Sequence, residues 1–158
     1  MEGNERVIQR FYSAFQQLDA STMNSCYATG AVFSDPVFGL LEGSEITSMW
    51  EMLCNNAKGF SLEFSDIQLL DEEYATCQWV ARYTFSKTGR QVTNHVKAYM
   101  RIQNGKITEH TDKFDLWKWS RQALGLPGLL LGWSGFIKNK VHRTARKSLE
   151  KFMDANAA

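Results

Sequence analysis

The segment NGKITEHTDKFDLWKW, residues 104–119, decides the fold of this chain. Its opening Asn-Gly pair predicts a type I′ hairpin turn, because both residues tolerate the positive φ angles that this turn requires. In the strand after the turn, alternation places His110, Asp112 and Phe114 on one face. A His and an Asp beside a Phe lie either on a solvated edge or inside an apolar cavity, and the pattern leaves both open.

The strands before this turn share its period of two, whereas the first part of the chain has helical periodicity. Strands are predicted from Phe60 to Leu69, from Cys77 to Phe85 and over 91–102. Helices are predicted over 4–18, over 21–28 and from Ser44 onward. Three helices followed by hairpin-connected strands indicate an α+β domain, with the helices packed on one face of an antiparallel sheet.

The chain after residue 115 is different in character. A helix is predicted over 116–124, an interruption at Gly125 and Pro127, and a last helix from Ser134 to Met153. We expect the last helix to pack on the domain through one apolar stripe, which consists of Ile137, Val141, Leu149 and Phe152. Further large apolar side chains of this region cap a cavity or fill an interface: Trp117, Trp119, Trp133 and Phe136.

Composition bounds the class of protein. At 158 residues with 44% hydrophobic and 13% aromatic side chains, the chain has enough apolar material for one folded domain. Cys26, Cys54 and Cys77 form no CxxC pair, which favours reduced thiols. The N-terminus lacks a signal-peptide pattern, and the apolar stretch over 125–133 is far shorter than the ~20 residues of a membrane span. These features predict a cytoplasmic protein.

Positive charge is concentrated near the C-terminus. Residues 134–153 carry six Lys or Arg and one Glu, a local charge of +5, which leaves −4 for the remainder of a chain whose net charge is +1. A solvated helix face is the first interpretation, because Lys and Arg usually lie outside. Contact with a membrane surface is the second and less favoured one. Nucleic-acid binding is not expected, since no RNA- or DNA-binding motif accompanies the charge.

Three segments resemble one known group of proteins. They are VIQRFYSAFQQLD at 7–19, VFSDPVFG at 32–39, and GRQVTNHVKAYMRIQNGKITEH at 89–110. Together with the element order, they resemble the ketosteroid isomerase-related, SnoaL-like proteins of the nuclear transport factor 2-like superfamily. The resemblance implies a conical, barrel-like fold in which helices close a cavity wrapped by a strongly curved antiparallel sheet. It places that domain at 1–115 and a helical extension at 116–158.

The resemblance also implies site residues. The Asp-Pro match makes Asp35 the candidate general base, and His110 with Asp112 the candidate acid/base or orienting pair on the last strand. The positions at which the isomerases hold their oxyanion-binding Tyr and Asp correspond to Phe11 and Ala98. Neither side chain can donate a hydrogen bond, so steroid isomerisation by that mechanism is not expected.

Six further residues are expected to contact a ligand. Tyr83 and Asn94 would hold oxygen atoms, and the apolar walls would be built from Phe11, Trp50, Trp79 and Phe114. Structural interpretations remain open beside these. An Asp before Pro often begins a turn and bonds its own backbone, and a buried His–Asp pair or an Asn can be satisfied internally.

The sequence thus favours an enzyme that performs cofactor-free acid/base chemistry on a small apolar, carbonyl-containing molecule: isomerisation, cyclisation or dehydration. We expect no cofactor and no metal, because neither a helical HxxxH pair nor a Cys cluster is present. The alternatives are a non-catalytic module that binds a hydrophobic ligand and a dimeric interaction protein. The family resemblance implies a homodimer formed by the outer face of the sheet, where Tyr99 lies.

Overall fold

The structure, a computed structural model, describes residues 3–125 and 135–157. The described helices are α1 (Asn4–Gln16), α2 (Ala20–Ser25), α3 (Ser44–Asn56), α4 (Leu116–Leu124) and α5 (Gly135–Asn156). The strands are β1 (Tyr27–Asp35), β2 (Gly39–Glu42), β3 (Ser61–Leu69), β4 (Tyr74–Thr84), β5 (Gln91–Gln103) and β6 (Lys106–Lys113). The predicted α+β class, with three N-terminal helices and a C-terminal helical extension, is confirmed.

The six strands form one open sheet with the order β2-β1-β6-β5-β4-β3. Strands joined by hairpins pair antiparallel, as predicted, but β1 runs parallel to β6 and makes the sheet mixed. A short turn forces antiparallel pairing only on neighbours in sequence. The connection from β1 to β6 passes through α3 and four strands, so it leaves either direction available.

Local turn chemistry agrees with the sequence in the meander. Asn104 and Gly105 both have positive φ, 53° and 75°, as the type I′ turn requires. Strand β3 has a bulge near Asp66, since Asp66 has φ 55° and the pairing register with β4 shifts between Ser65 and Gln68. The second helix is shorter than predicted. It ends at Ser25, and Tyr27 begins β1, where the sequence had suggested a helix continuing to residue 28.

The core lies between the inner face of the sheet and helices α1 and α3. Alternate residues of β5 are buried from Val92 to Ile102, as the period of two predicts, and His95 points outward. On the outer face Tyr99 is 37% exposed, and the ammonium groups of Lys97 and Lys113 lie 5.5 and 5.2 Å from its ring centroid. The homodimer through this face stays a prediction.

Helix α5 packs on the domain, as expected. Ile137 and Leu149 are buried, while Val141 and Phe152 are partly buried against the core. On the β1–β2 turn, the Val37 carbonyl accepts a hydrogen bond from His142 Nδ1 at 3.1 Å, which fixes that nitrogen as the protonated one.

The boundary between a domain at 1–115 and an extension at 116–158 stays a prediction. Three features named in the sequence analysis lie outside the described residues: the expected start of the last helix at Ser134, the side chain of Trp133, and residues 126–133 of the apolar stretch. Within 3–125 and 135–157, no helix combines the length and apolarity needed to cross a membrane.

A pair of glycine substitutions tests the docking of α5. Gly39 has φ +69°, and a Cβ there would lie 2.7 Å from the His142 ring, whereas Gly30 has φ +79° with open space around it. We expect Gly30→Ala to lower the free energy of unfolding by about 1–2 kcal/mol through backbone strain alone. Gly39→Ala should cost at least about 1 kcal/mol more, because it also displaces the imidazole.

Urea unfolding of both variants and of the Gly39→Ala/His142→Ala double variant measures this difference. Equal losses at Gly30 and Gly39 would show that α5 is not seated against the β1–β2 turn.

Candidate functional site

A pocket of about 590 Å³ opens between the inner sheet face and helices α3, α4 and α5. Seven of the nine predicted site residues line it: Asp35, Trp50, Trp79, Tyr83, Asn94, Asp112 and Phe114. The sheet register explains the grouping of the strand residues. Asn94 of β5 pairs with Ala81 of β4, and Tyr83 lies two residues after Ala81 on the same face of β4. Asp112 of β6 pairs with Ala98 of β5, which lies two residues after Val96.

The other two predicted residues, His110 and Phe11, lie behind the pocket wall. His110 is 1% exposed and Phe11 is fully buried. Phe11 meets the imidazole of His110 edge to face, with ring centroids 5.7 Å apart. Phe11 was expected to touch a ligand. Instead α1 packs its side chain beneath Trp50, so that it supports the wall from behind.

His110 is the centre of a buried hydrogen-bond chain. Its Nε2 lies 2.8 Å from Asp112 Oδ1, and its Nδ1 lies 2.6 Å from the Tyr27 hydroxyl oxygen. That oxygen accepts a hydrogen bond from the indole N–H of Trp50 at 3.1 Å. With Asp112 ionised, every group is satisfied in one direction: Trp50 N–H donates to Tyr27, Tyr27 O–H donates to His110 Nδ1, and Nε2–H donates to Asp112. A neutral imidazole completes this chain.

Asp35 occupies the end of β1, before the proline, where it both bonds the backbone of the turn and lines the pocket. Its Oδ1 accepts hydrogen bonds from the backbone N–H of Val37 at 2.9 Å and of Phe38 at 2.6 Å, which is the turn geometry expected of an Asp-Pro pair. Burial nevertheless raises the pKa of Asp35 to about 7. The two N–H donors act against that rise, and the charge of Asp112 adds to it.

Tyr83 and Asn94 present polar groups to the pocket. The Tyr83 oxygen accepts a hydrogen bond from Trp119 Nε1 at 2.7 Å, which leaves its own hydrogen for another acceptor. Burial raises the pKa of Tyr83, although the Trp119 donor opposes this, so its hydroxyl is a neutral donor at pH 7. The Asn94 amide is 8% exposed and hydrogen-bonds to no described residue. Both side chains can therefore bind an oxygen atom of a ligand.

Sequence reasoning missed the two buried tyrosines of the site. Tyr27 was placed in a helix, so its inward direction on β1 could not be seen. Tyr12 immediately follows the position matched to the isomerase Tyr, and it is fully buried. Neither its hydroxyl nor the Trp79 indole N–H has a hydrogen-bond partner among the described residues. Desolvation, with the charge of Asp112 second, raises the pKa of Tyr12. The sequence did contain a signal for the burial of Tyr12, because Ile8, Tyr12 and Phe15 are spaced by four and three residues along the helix.

No three His, Cys, Asp or Glu side chains in 3–125 and 135–157 are placed to hold a metal ion together. Cys26, Cys54 and Cys77 are buried free thiols. Burial raises the pKa of Cys54 and of Cys77 to about 11, so both stay protonated at neutral pH and are poor nucleophiles.

Comparison with known proteins agrees with the fold. The family model of the SnoaL-like domain matches residues 8–110, well over half of the chain. The chain belongs to the SnoaL-like family. Among curated proteins, no sequence matches this SnoaL-like protein significantly.

Solved structures share the fold at low sequence identity. A candidate polyketide cyclase from Pseudomonas putida KT2440 is 17% identical with a TM-score of 0.66, over 78% of this chain and 99% of that one. A protein of ketosteroid isomerase-like fold from Catenulispora acidiphila, in complex with trimethylamine, is 15% identical with a TM-score of 0.68, over 84% and 99%. An LEH-like epoxide hydrolase from M. tuberculosis is 20% identical with a TM-score of 0.64, over 80% and 93%.

The raised pKa of Asp35 makes the stability of this SnoaL-like protein depend on pH. The unfolded carboxyl releases its proton near 3.8 and the folded one near 7, so stability falls as pH rises between these values and is level above them. Asp35→Asn keeps an acceptor for the turn and removes the ionisation. The variant should gain stability relative to the wild type from pH 4 to pH 8, by at most about 4 kcal/mol, since each of the 3.2 pKa units is ~1.36 kcal/mol.

Urea unfolding at several pH values measures this gain. Asp154→Asn, at an exposed position of α5, is the matched control and should show no such trend. A pH-independent difference between Asp35→Asn and the wild type would contradict the raised pKa.

Removal of the Tyr27 hydroxyl tests the buried chain. Tyr27→Phe leaves the Trp50 indole N–H and His110 Nδ1 without their partner, and we expect a loss of about 1–3 kcal/mol in the free energy of unfolding. Tyr74→Phe is the control. Tyr74 is 41% exposed and should lose less than about 0.5 kcal/mol. Imidazole nitrogen NMR shifts should show the Nε2–H tautomer of His110 in the wild type, and a charged or Nδ1–H ring there would contradict the assigned direction.

Proposed function

We propose that this SnoaL-like protein is an enzyme that moves a proton on an apolar, carbonyl-containing small molecule without a cofactor. One observation carries the proposal. Asp35, with its pKa raised to about 7, shares an apolar pocket with Asp112, which His110 holds from behind the wall. A carboxyl that is half ionised near neutral pH is a competent general base, whereas an ordinary surface Asp is too weak a base for a carbon acid.

Asp35 would abstract a proton from the carbon next to the carbonyl group. Its Oδ1 is held by the N–H groups of Val37 and Phe38, which fix the carboxyl plane. No described residue donates a hydrogen bond to Oδ2, so this oxygen would be available for the substrate proton. Rigid placement by two backbone donors favours proton transfer, because little reorganisation is needed on reaching the transition state.

Negative charge then develops on the carbonyl oxygen of the substrate. Tyr83 O–H and the Asn94 amide are the donors suited to stabilise it, since both face the pocket with hydrogens that no described residue accepts. They would replace the donors that the isomerases place at the positions of Phe11 and Ala98. One such donor contributes on the order of 10²–10³ to the rate in other enzymes.

Asp112 is the second proton-handling group. His110, itself hydrogen-bonded to Tyr27, holds Oδ1 of Asp112, and the Asp112 side chain lines the pocket. As the carboxylate end of the buried chain, Asp112 can take up a second proton from the substrate, while Asp35, protonated by the first transfer, can return its proton to a different atom. The outcome would be isomerisation, cyclisation or dehydration, depending on the substrate.

The substrate class follows from the pocket. Its walls include Phe15, Trp50, Trp79, Phe85, Phe114 and Trp119, and its volume of about 590 Å³ falls in the range of sites for ring-sized organic molecules. The names of the structural relatives, a candidate polyketide cyclase and an epoxide hydrolase, support small-molecule chemistry in this fold. A non-catalytic binding module is the second candidate, because the turn hydrogen bonds of Asp35 account for that residue without any reaction.

Hydrogen–deuterium exchange on probe ketones tests the proposal without knowledge of the natural substrate. We expect the protein to accelerate exchange at the carbon next to the carbonyl of bicyclic ketones and cyclic enones in D₂O, measured by mass spectrometry. The rate should rise with pH and level off above about 7, because Asp35 must lose its proton to act as the base.

Asp35→Asn should slow the exchange by at least about 100-fold at nearly constant volume. The Asp154→Asn control should exchange like the wild type. Ketone binding seen by tryptophan fluorescence with no exchange in any variant would instead indicate the binding module. Equal exchange in the wild type and Asp35→Asn would remove Asp35 as the base.

A further inference from the structure

The outer face of α5 carries a continuous cationic stripe. Its members are spaced by three or four residues, which places them on one side of the helix: Phe136, Lys140, Arg143, Lys147 and Lys151. All five are exposed. Phe136 is 66% exposed, the highest value among the large apolar side chains that the structure describes. The aromatic ring and the four cations share this helical surface with Glu150 and Asp154, which follow the same spacing toward the C-terminal end, so the surface carries a net charge of +2.

These cations have no acidic partner in the described part of the chain. The cation of α5 that does form an ion pair is Arg146, which contacts Glu45 at 3.0 Å and faces the domain. The stripe cations are exposed, and no carboxylate, Glu150 and Asp154 included, comes within 4 Å of them among residues 3–125 and 135–157. Internal ion pairing therefore does not account for the stripe.

Charge is strongly separated between this helix and the rest of the molecule. Helix α5 has six cationic and two acidic side chains, a net charge of +4, while the whole chain has +1 and the remainder therefore −3. In the field of an anionic surface, such a molecule turns α5 toward the surface and its acidic part away. The charge separation thus favours one orientation of the molecule and a partner of negative charge.

We propose that the α5 stripe docks the protein on an anionic lipid membrane, with Phe136 entering the headgroup region. A basic helix with an exposed aromatic at one end has the chemistry of an interfacial contact. A membrane presents a flat surface that one helix can meet, and the acidic remainder can stay away from it. An extended nucleic acid would require a broader basic surface and stacking side chains, which the acidic remainder does not supply.

The stripe borders the pocket. Ile137, Val141 and Ser148 of α5 line that pocket, and Lys140 belongs both to its lining and to the stripe. A lipid-soluble ligand would therefore have a short path from the membrane to the apolar walls. The docking itself goes beyond the proposed reaction and does not depend on it.

Vesicle sedimentation of the full chain, without any ligand, is the test. Binding to vesicles of phosphatidylcholine with phosphatidylglycerol should exceed binding to phosphatidylcholine alone by at least about tenfold at low salt, and added salt should reduce it. Arg143→Gln/Lys147→Gln/Lys151→Gln should lose at least about tenfold in partitioning. Phe136→Ser should weaken binding about fivefold. This loss should depend less on salt than the loss in the triple variant, because the substitution removes no charge.

A matched variant separates the stripe from general electrostatics. Arg6→Gln/Lys58→Gln/Arg82→Gln removes the same charge from exposed positions on other elements and should keep most of the binding. Thermal melts establish that each variant is folded. Asp35→Asn should bind vesicles like the wild type, so failure of the proposed reaction and failure of docking are distinguishable.

Three results would overturn the docking proposal. They are no preference for anionic vesicles, equal losses in the two triple variants, and binding of a short DNA duplex at lower protein concentration than the vesicles. The last result would assign the stripe to nucleic acid.

Discussion

Burial of the His110 imidazole between a carboxylate and a phenol is the constraint on which the site depends. A histidine shielded from water needs a partner on each ring nitrogen, and an unpartnered one costs about 1–3 kcal/mol. Asp112 and Tyr27 supply those partners from two strands that lie side by side, β6 and β1. The parallel pairing of these strands is therefore tied to the polar chain as well as to backbone hydrogen bonds. Four aromatic rings, those of Phe11, Phe33, Tyr27 and Trp50, pack around the imidazole and exclude water from it.

The same sheet register explains how this chain differs from the isomerases it resembles. Ala98 stands where they carry an acid, and its small side chain is directly opposite Asp112 on the neighbouring strand. The carboxyl has thus moved by one strand within the same row of the sheet, to a position where His110 can hold it. Likewise, Tyr12 lies one residue beyond the matched position of the first helix. Asp112 and Tyr12 are thus displaced from the positions that the resemblance implies, and of the two only Asp112 lines the pocket.

Local patterns predicted the meander and the inward-facing residues of the last strands well. Parity along β5 and β6 placed Asn94 and Asp112 correctly, because period two follows directly from strand geometry and one buried face fixes the register. Tyr27 and the parallel pairing of β1 could not be found in this way. Asp19 caps α2 and Gly30 interrupts the β1 register, so the change from helix to strand at Tyr27 has no periodic signal. Which strand β1 would join depends on long-range packing of α3, and no local rule reports that.

The polar groups around the pocket divide into two sets, and the division argues for where chemistry can occur. Trp50, Tyr27 and His110 satisfy one another, which stabilises the fold and leaves them little capacity for a ligand. Asp35, Tyr83 and Asn94 differ, because each faces the pocket with hydrogen-bonding capacity that the described residues do not use. Asp35 also has a pKa raised to about 7, so its ionisation opposes folding. A fold under selection for stability alone would replace such a group, since an Asn there keeps the turn. Retention of an ionisable, under-bonded carboxyl at the pocket wall, beside two open donors, is the pattern expected where a site is shaped by its ligand and not by the core.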